Sequence, residues 1–226
     1  MKIKLNEIYA QLEAWRAERH ISVESQKEGY LVNVLEELGE LSSALRDYEK
    51  IKNGEQVIKK HIAREWNENN AKWAVLKYKK VTLAEAEHEI IDALCDIGIF
   101  TINAAADIPC HLKDTEIGWE DDFCDDFCDL IREISWLAAD FNIKGHYGLA
   151  HYQSSKRFNL ILVQLAKICE NYGFDFETAM DETIKEISSR TGAYDEASKK
   201  WIQDTSPEVR SKWYKANYEL ARVSND

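Results

Sequence analysis

Apolar residues recur at three- and four-residue spacings along most of this 226-residue chain. That spacing places them on one face of an α-helix, whereas the residues of a half-buried strand would alternate at every second position. The chain contains only 9 glycines and 2 prolines, the residues that the many turns of an all-β fold require. The sequence therefore predicts an all-α fold. The predicted helices are 5–19, 28–50, 55–80, 82–107, 119–141, 156–172, 175–189 and 206–222.

The connections between the predicted helices contain no linker rich in proline, glycine or serine. The chain 1–226 is therefore expected to form one compact helical bundle. Thr82 and Glu85 have the spacing of a capping box, and Ser206 precedes a proline, so both places are predicted helix starts.

Two parts of the chain show a weak internal similarity. In each, a helix with regularly spaced leucines and glutamates, LEELGELSSAL or LIREISWLAA, precedes a long apolar helix. A duplicated unit would give a pseudo-symmetric four-helix core in which 119–172 is the second copy. Chance similarity between amphipathic helices explains the pattern equally well.

The balance of charge and the cysteine content restrict the expected partners and compartment. With 41 acidic and 29 basic residues the formal charge is −12, which repels the phosphate backbone of a nucleic-acid polymer. The first residues, MKIKLNEIYAQLEAW, lack the apolar stretch of a signal peptide, and no apolar run is long enough to span a membrane. An odd number of cysteines, 5, is typical of reduced thiols. The sequence predicts a cytoplasmic protein that binds neither nucleic-acid polymers nor membranes.

The segment LEELGEL places three carboxylates on one side of a predicted helix. Glu36, Glu37 and Glu40 fall within an arc of about 100°, and Asn33 lies on the same arc. Like charges at this spacing repel one another. Residues 28–45 contain no lysine or arginine that would offset the repulsion.

A second acidic face follows the same pattern in the segment EIIDALCD. Glu89, Asp92 and Asp96 lie on one side of a predicted helix, with Asn103 near that side and apolar residues opposite. Residues 81–112 again contain no lysine or arginine.

Two acidic faces of this kind would converge if their helices packed antiparallel. Carboxylate oxygens are hard ligands that suit Mg²⁺, with Mn²⁺ as an alternative, rather than zinc. A divalent metal site is one interpretation of the pattern. The other is a pair of ordinary solvated acidic faces, which would make the chain a non-enzymatic helical interaction module that binds a basic partner.

The order E-E-x-x-E followed by E-x-x-D resembles the motif of the all-α nucleoside triphosphate pyrophosphohydrolases, the MazG-like and dimeric-dUTPase-like superfamily. In this chain the motif reads Glu36-Glu37-Leu38-Gly39-Glu40 and Glu89-Ile90-Ile91-Asp92. The stretch GFDFETAMDETIKEISSRTGAYDEASKKW is similar to phage-type MazG-like proteins, so the resemblance covers residues 28–200 in outline. It implies Mg²⁺-dependent hydrolysis of a nucleoside triphosphate to the monophosphate and pyrophosphate.

The resemblance also implies roles for individual acidic residues. Carried over position by position, the metal ligands are Glu37, Glu40, Glu89 and Asp92. Glu36 is the implied catalytic residue, which orients or deprotonates the attacking water.

The substrate is expected to need polar and cationic groups besides the metal. Lys185 and Arg190 loosely match the lysine and arginine that follow the last core helix in the family, where they would bind the triphosphate. A basic helix end that complements the helix dipole is the alternative interpretation. Asn33 and Asn103 are predicted either to hydrogen-bond the sugar or base, or to be polar neighbours of the acidic cluster.

The separation of the two half-motifs departs from the family pattern. More residues lie between Glu40 and Glu89 than is usual, and the excess, 46–81, is predicted to be a helical insertion or a lengthened hairpin. Dimeric-dUTPase-like members resemble a fused pair of MazG-like units with one degenerate copy, which 119–172 would match. The resemblance therefore implies dUTP, dCTP or another house-cleaning nucleotide as substrate, and a homo-oligomer, a dimer or larger.

Overall fold

The computed structural model describes residues 2–3, 5–66, 72–107, 115–116, 127–142, 149–198 and 200–223, and most of their side chains. The predicted fold class is confirmed, because helices make up most of the described chain. The helices are α1 (Leu5–Glu18), α2 (Val23–Lys52), α3 (Leu83–Ala104), α4 (Phe127–Asn142), α5 (Leu149–Asn171), α6 (Phe176–Ser189), α7 (Pro207–Arg210) and a 3₁₀ helix (Tyr218–Ala221). In the described chain, no helix combines the length and the apolar character that a bilayer crossing requires.

Short antiparallel strand pairs accompany the helices in the described residues. Strand β1 pairs with β4, β2 with β3, and β5 with β6. Their bounds are β1 (Lys2–Ile3), β2 (Ile58–Trp66), β3 (Lys72–Lys80), β4 (Thr115–Glu116), β5 (Gly192–Asp195) and β6 (Lys200–Gln203).

The chain divides into two units, and the first comprises residues 1–38 and 91–226. In this unit α1 packs against α6, α5 packs against α6, and α4 packs against α5. Large side chains from several of these helices are fully buried in it, among them Leu12, Tyr30, Leu94, Ile97, Leu130 and Phe176. Helix α6 begins at a conventional cap, because the Asp175 side chain accepts a hydrogen bond from the Thr178 N–H at 2.9 Å.

The predicted second repeat, 119–172, corresponds in the described chain to α4 and α5. Residues 119–126 and 143–148 lie outside the described residues. The internal duplication, and the four-helix core that would follow from it, stay predictions.

The second unit, residues 39–90, contains the end of α2, the β2–β3 hairpin and the start of α3. The predicted capping box is confirmed here, because Glu85 N–H donates to Thr82 Oγ1 at 3.2 Å and Thr82 N–H donates to Glu85 Oε2 at 2.9 Å. Helix α2 ends at Lys52, and Gly54 beyond it has a positive φ of 83°, a conformation that glycine adopts without strain.

The predicted helix over 55–80 is wrong, because strands β2 and β3 occupy 58–66 and 72–80. The helical insertion predicted for 46–81 is wrong over the same two segments. Ile58 pairs with Lys80 and Trp66 with Lys72 in an antiparallel ladder. The two segments are rich in isoleucine, valine, tyrosine and tryptophan, which favour strands. Their many lysines are equally compatible with a helix, so composition alone does not decide between helix and strand. The pairing of β2 with β3 decides for strands.

The predicted helix over 206–222 is also wrong, because α7 ends at Arg210. Backbone N–H groups beyond it donate to side chains of α6 instead of continuing the helix. Ala216 N–H donates to Glu186 Oε2 at 2.8 Å, and Asn217 N–H donates to Glu182 Oε2 at 3.0 Å. Acceptors that are distant in sequence thus replace the helical carbonyls.

Candidate functional site

A cavity of about 320 Å³ lies within the first unit. Four residues that the sequence analysis singled out line it, namely Glu37, Asp96, Asn103 and Arg190. The other described lining residues are Trp15, Arg19, Ile21, Gln26, Ile99, Phe100, Ile187, Trp201 and Gln203. We call it the first cavity. Its volume is at the lower end of the range for small-molecule sites.

The carboxylates of this unit interact electrostatically. Burial raises the pKa of Asp96 well above its usual value, and the negative charges of Asp92 and Glu37 raise it further. The guanidinium of Arg190 acts in the opposite direction. Negative charge on α2 and on α3 thus acts on the Asp96 carboxyl, while the predicted convergence of the two acidic faces stays a prediction.

Asp92 is held by a residue from the other end of the chain. The Tyr218 hydroxyl donates a hydrogen bond to Asp92 Oδ1 at 2.5 Å and lies 3.0 Å from Thr183 Oγ1. Tyr218 is buried, and burial raises the pKa of its hydroxyl, with the negative charge of Asp92 adding to the effect. The phenol therefore stays protonated and orients one oxygen of the carboxylate.

Two buried arginines, Arg16 on α1 and Arg19 directly after it, belong to the surroundings of the cavity. Arg19 is only 3% exposed and donates to the carbonyl oxygens of Ser188 and Arg190, both at 3.1 Å. Its guanidinium also lies over the rings of Trp15 and Trp201, at 5.2 and 5.3 Å from their centroids. The described lining of the first cavity thus includes carboxylates as well as guanidinium and indole groups.

Arg16 positions the side chain of Asn103, which lines the cavity. The Arg16 guanidinium donates a hydrogen bond to the Asn103 amide oxygen, and both side chains are buried. Asn103 therefore has a partner within the fold, as well as its place in the cavity wall.

Arg16 and Arg19 were missed by the sequence analysis. They continue the stripe of buried residues formed by Leu5, Ile8 and Leu12 on α1. A basic residue on the apolar stripe of an amphipathic helix is unusual, and that position was the signal that could have identified them.

Several predicted residues lie outside the described lining of this cavity. Glu36 is exposed, and Asn33 is half-buried on α2. Lys185 forms an ion pair with the buried Glu182, with 2.6 Å between Nζ and Oε1. Of the two predicted cations, therefore, only Arg190 lines the first cavity.

The predicted ligands Glu40 and Glu89 belong to the second unit. Lys59 on β2 forms ion pairs there with Glu89 and with Asp47, the latter at 3.1 Å. Although burial alone would lower the pKa of Lys59, its hydrogen bonds to these two carboxylates raise it. Lys59 thus supplies the positive charge that the sequence around Glu89 lacks. It comes from strand β2, 30 positions earlier in the chain.

The positions of the described acidic side chains determine which of them could bind a metal ion together. Among the described side chains, no three from histidine, cysteine, aspartate and glutamate are grouped so that they could hold one metal ion. The oxygen donors of Glu37 and Asp96 nevertheless suit Mg²⁺, which proteins commonly bind through one or two carboxylates together with substrate phosphates.

No family model, no curated protein and no solved structure matches this chain. The resemblance to the all-α pyrophosphohydrolases rests on the sequence motifs given above.

Proposed function

We propose that the chain is a Mg²⁺-dependent nucleoside triphosphate pyrophosphohydrolase that releases the nucleoside monophosphate and pyrophosphate. One observation carries the proposal: the first cavity combines the carboxylates of Glu37 and Asp96 with the guanidinium groups of Arg19 and Arg190. A nucleoside triphosphate needs cationic groups for its phosphates and an acidic, metal-binding region for hydrolysis. The preferred substrate is proposed to be dUTP, dCTP or another house-cleaning nucleotide.

The residues of the cavity have separate tasks in this proposal. Arg190 and Arg19 bind the phosphate oxygens, because guanidinium groups donate paired hydrogen bonds to phosphates. Phe100 and Trp201 provide apolar and aromatic surface for the base. Asn103, oriented by Arg16, donates to or accepts from the sugar or base.

Glu37 and Asp96 would hold the metal, and Tyr218 would orient Asp92 beside them. When bound, the ion would lower the pKa of the attacking water and neutralise phosphate charge. Mn²⁺ is the alternative ion. Glu40 and Glu89 as further ligands, and Glu36 as the group that accepts the proton of the water, stay predictions from the sequence.

The test is to incubate the full chain with a panel of nucleoside and deoxynucleoside triphosphates and Mg²⁺, and to quantify monophosphate and pyrophosphate. Glu37→Gln is expected to lower turnover by about 100-fold or more, since it removes a carboxylate from the reacting region. Glu28→Gln is the matched control, because Glu28 is an exposed glutamate of the same helix and does not belong to the cavity's described lining.

The outcome separates the proposal from its competitors. Release of orthophosphate instead of pyrophosphate would exclude this reaction, and equal turnover by the Glu37 and Glu28 variants would exclude the site. Addition of a chelator is expected to abolish turnover, and added Mg²⁺ to restore it.

The alternative function is a non-enzymatic helical module that binds a basic partner. The exposure of Glu36 and Glu40 on α2 favours it, because surface carboxylates are available to a partner without any cavity. A chain that hydrolyses no triphosphate in the panel would support this alternative.

We also propose that the protein forms a homo-oligomer and is located in the cytoplasm. Leu31, Val32 and Leu35 are exposed side by side on α2, the last two by 68% and 57%, which supports self-association. Cys95 and Cys169 are buried cysteines that form no disulfide in the described part of the chain, as is common in reducing compartments.

A further inference from the structure

A second cavity, of about 560 Å³, lies beside the C-terminal half of α6 in the first unit. The end of α6 contributes Glu186, the residue that follows α6 is Arg190, and β6 contributes Gln203. The segment after β6 contributes the rest of the described lining. Arg190 and Gln203 line the first cavity as well, whereas the residues that 205–215 contributes are absent from the described lining of the first cavity.

The charge of the second cavity is opposite to that of the chain. Its described lining contains three cationic residues, Arg190, Arg210 and Lys215, and a single carboxylate, Glu186. That carboxylate is already engaged, because Arg190 Nη2 donates to it at 3.0 Å and Ala216 N–H donates to it at 2.8 Å. In a protein with a net charge of −12, a cavity with this excess of cations is selective for anions.

The wall also has more hydrogen-bond donors than the fold satisfies. Within the described part of the chain, the buried nitrogens Arg190 Nε and Trp213 Nε1 have no hydrogen-bond partner. A buried donor without an acceptor has lost its hydrogen bonds to water and gained none in return, so a ligand rich in acceptors is favoured there. The Arg210 guanidinium lies over the Trp213 ring, 5.6 Å from its centroid, and this contact links a cation to one of those donors.

We propose that the second cavity binds a phosphoryl group of a small phosphorylated molecule, held by Arg190, Arg210, Lys215 and the indole N–H of Trp213. Phosphate oxygens are acceptors only, which matches a wall of guanidinium, ammonium and indole donors. The hydroxyl groups of Thr205 and Ser211 can donate to the same oxygens. The volume exceeds that of one phosphate and suits a diphosphate or a phosphate ester.

The experiment measures binding of three probes to the full chain by titration calorimetry in the presence of a chelator. The probes are inorganic phosphate, pyrophosphate and a nucleoside monophosphate. Chelation removes metal-dependent binding, so this result does not depend on the hydrolase activity proposed above. Pyrophosphate binding identifies a diphosphate site, and preferential binding of the monophosphate identifies a phosphate-ester site; either result supports the proposal.

Variants then locate the binding. Arg210→Gln is expected to weaken binding by about tenfold or more, since it removes a charged hydrogen-bond donor. Trp213→Phe keeps an aromatic ring, removes the N–H and is expected to weaken binding by about threefold or more. Lys212→Gln removes one positive charge from an exposed side chain outside the described lining, and is expected to leave binding unchanged.

Three results would overturn the proposal. The first is the absence of binding for all three probes at millimolar concentration. The second is equal weakening by the Arg210 and Lys212 variants, which would indicate general charge attraction. The third is loss of binding in Gln26→Ala, combined with unchanged binding in Arg210→Gln and Trp213→Phe, because Gln26 belongs to the described lining of the first cavity and not to that of the second. Circular dichroism of each variant establishes that it is folded.

Discussion

The Tyr218 hydroxyl donates a hydrogen bond to Asp92 Oδ1 at 2.5 Å, although 126 positions separate the two residues in the chain. Tyr218 belongs to the C-terminal 3₁₀ helix, and Asp92 belongs to the acidic stripe of α3. The same hydroxyl lies 3.0 Å from Thr183 Oγ1 on α6. The C-terminal segment therefore helps to position a residue of the candidate site.

Removal of this hydroxyl tests that role. Tyr218→Phe is expected to lower the free energy of unfolding by about 1–3 kcal/mol, because it removes the hydrogen bond to the Asp92 carboxylate and the contact with the Thr183 hydroxyl. It is also expected to lower turnover by about 10- to 100-fold, since Asp92 loses its orienting group. Urea denaturation and pyrophosphate release measure the two effects. Tyr9→Phe, which loses a hydrogen bond to the Ala106 carbonyl, is the control and is expected to keep its turnover.

The two predicted substrate cations are expected to behave differently. Arg190 lines the first cavity, whereas Lys185 pairs with Glu182 outside its described lining. Arg190→Gln is expected to raise the KM for the triphosphate by about 10- to 100-fold, the effect of losing a charged hydrogen bond. Lys185→Gln is expected to leave KM unchanged. Steady-state kinetics on both variants tests the assignment, and a larger effect at Lys185 would contradict it.

Glu182 predicts a specific dependence of stability on pH. Burial alone would raise the pKa of this carboxylate, but hydrogen bonds from Lys185, Tyr214 and the Asn217 N–H lower it below its ordinary value of 4.5. Because the pKa is lower in the folded state, the stabilisation is present above pH 4.5 and is lost as the pH falls through the folded-state pKa.

The corresponding variant is Glu182→Gln. At pH 7 it is expected to be less stable than the wild type by about 1–3 kcal/mol, and the difference should shrink as the pH falls below 4.5. Denaturant unfolding at several pH values measures this difference. Glu208→Gln, a change at an exposed residue, should show no comparable pH-dependent difference. A constant difference for Glu182→Gln at all pH values would show that the charge of Glu182 is not involved.

Gly192 allows the close approach of strands β5 and β6. An alanine Cβ at this position would overlap the Ile202 carbonyl oxygen and lie 2.8 Å from the indole ring of Trp201. Gly192→Ala is therefore expected to cost about 1–3 kcal/mol and to displace Trp201 from the wall of the first cavity, which weakens nucleotide binding.

Gly39 provides the matched substitution. Nothing lies within 4 Å of a Cβ built there, and the residue is in the middle of α2. Gly39→Ala is expected to stabilise the protein by about 0.5–1 kcal/mol, because alanine favours helix more than glycine does. Urea denaturation of both variants should show opposite signs, and a stabilised Gly192 variant would contradict the packing described.

The helices were predictable where local periodicity alone determines them. The prediction 5–19 agrees closely with α1 (Leu5–Glu18), and 175–189 agrees with α6 (Phe176–Ser189). The start of α2 was placed too late, at residue 28. The structure starts it at Val23, after Ser22, whose hydroxyl accepts a hydrogen bond from the Ser25 N–H at 3.2 Å.

Errors occurred where distant partners decide the backbone. The segment 58–66 forms a strand because 72–80 pairs with it. The residues of one segment alone do not predict which other segment will pair with it. The segment after Arg210 leaves the helix because carboxylates on α6 accept its N–H groups.

The sequence by itself determined the helical class and the spacing that puts Glu37, Asp92 and Asp96 on helix faces, since both follow from interactions within a few residues. Only the tertiary structure decided which polar groups meet. It placed Arg190 in the first cavity, buried Arg19 beside Trp201 and brought Tyr218 to Asp92. Such contacts join residues far apart in the chain, and they form only when burial of the apolar core brings the helices together.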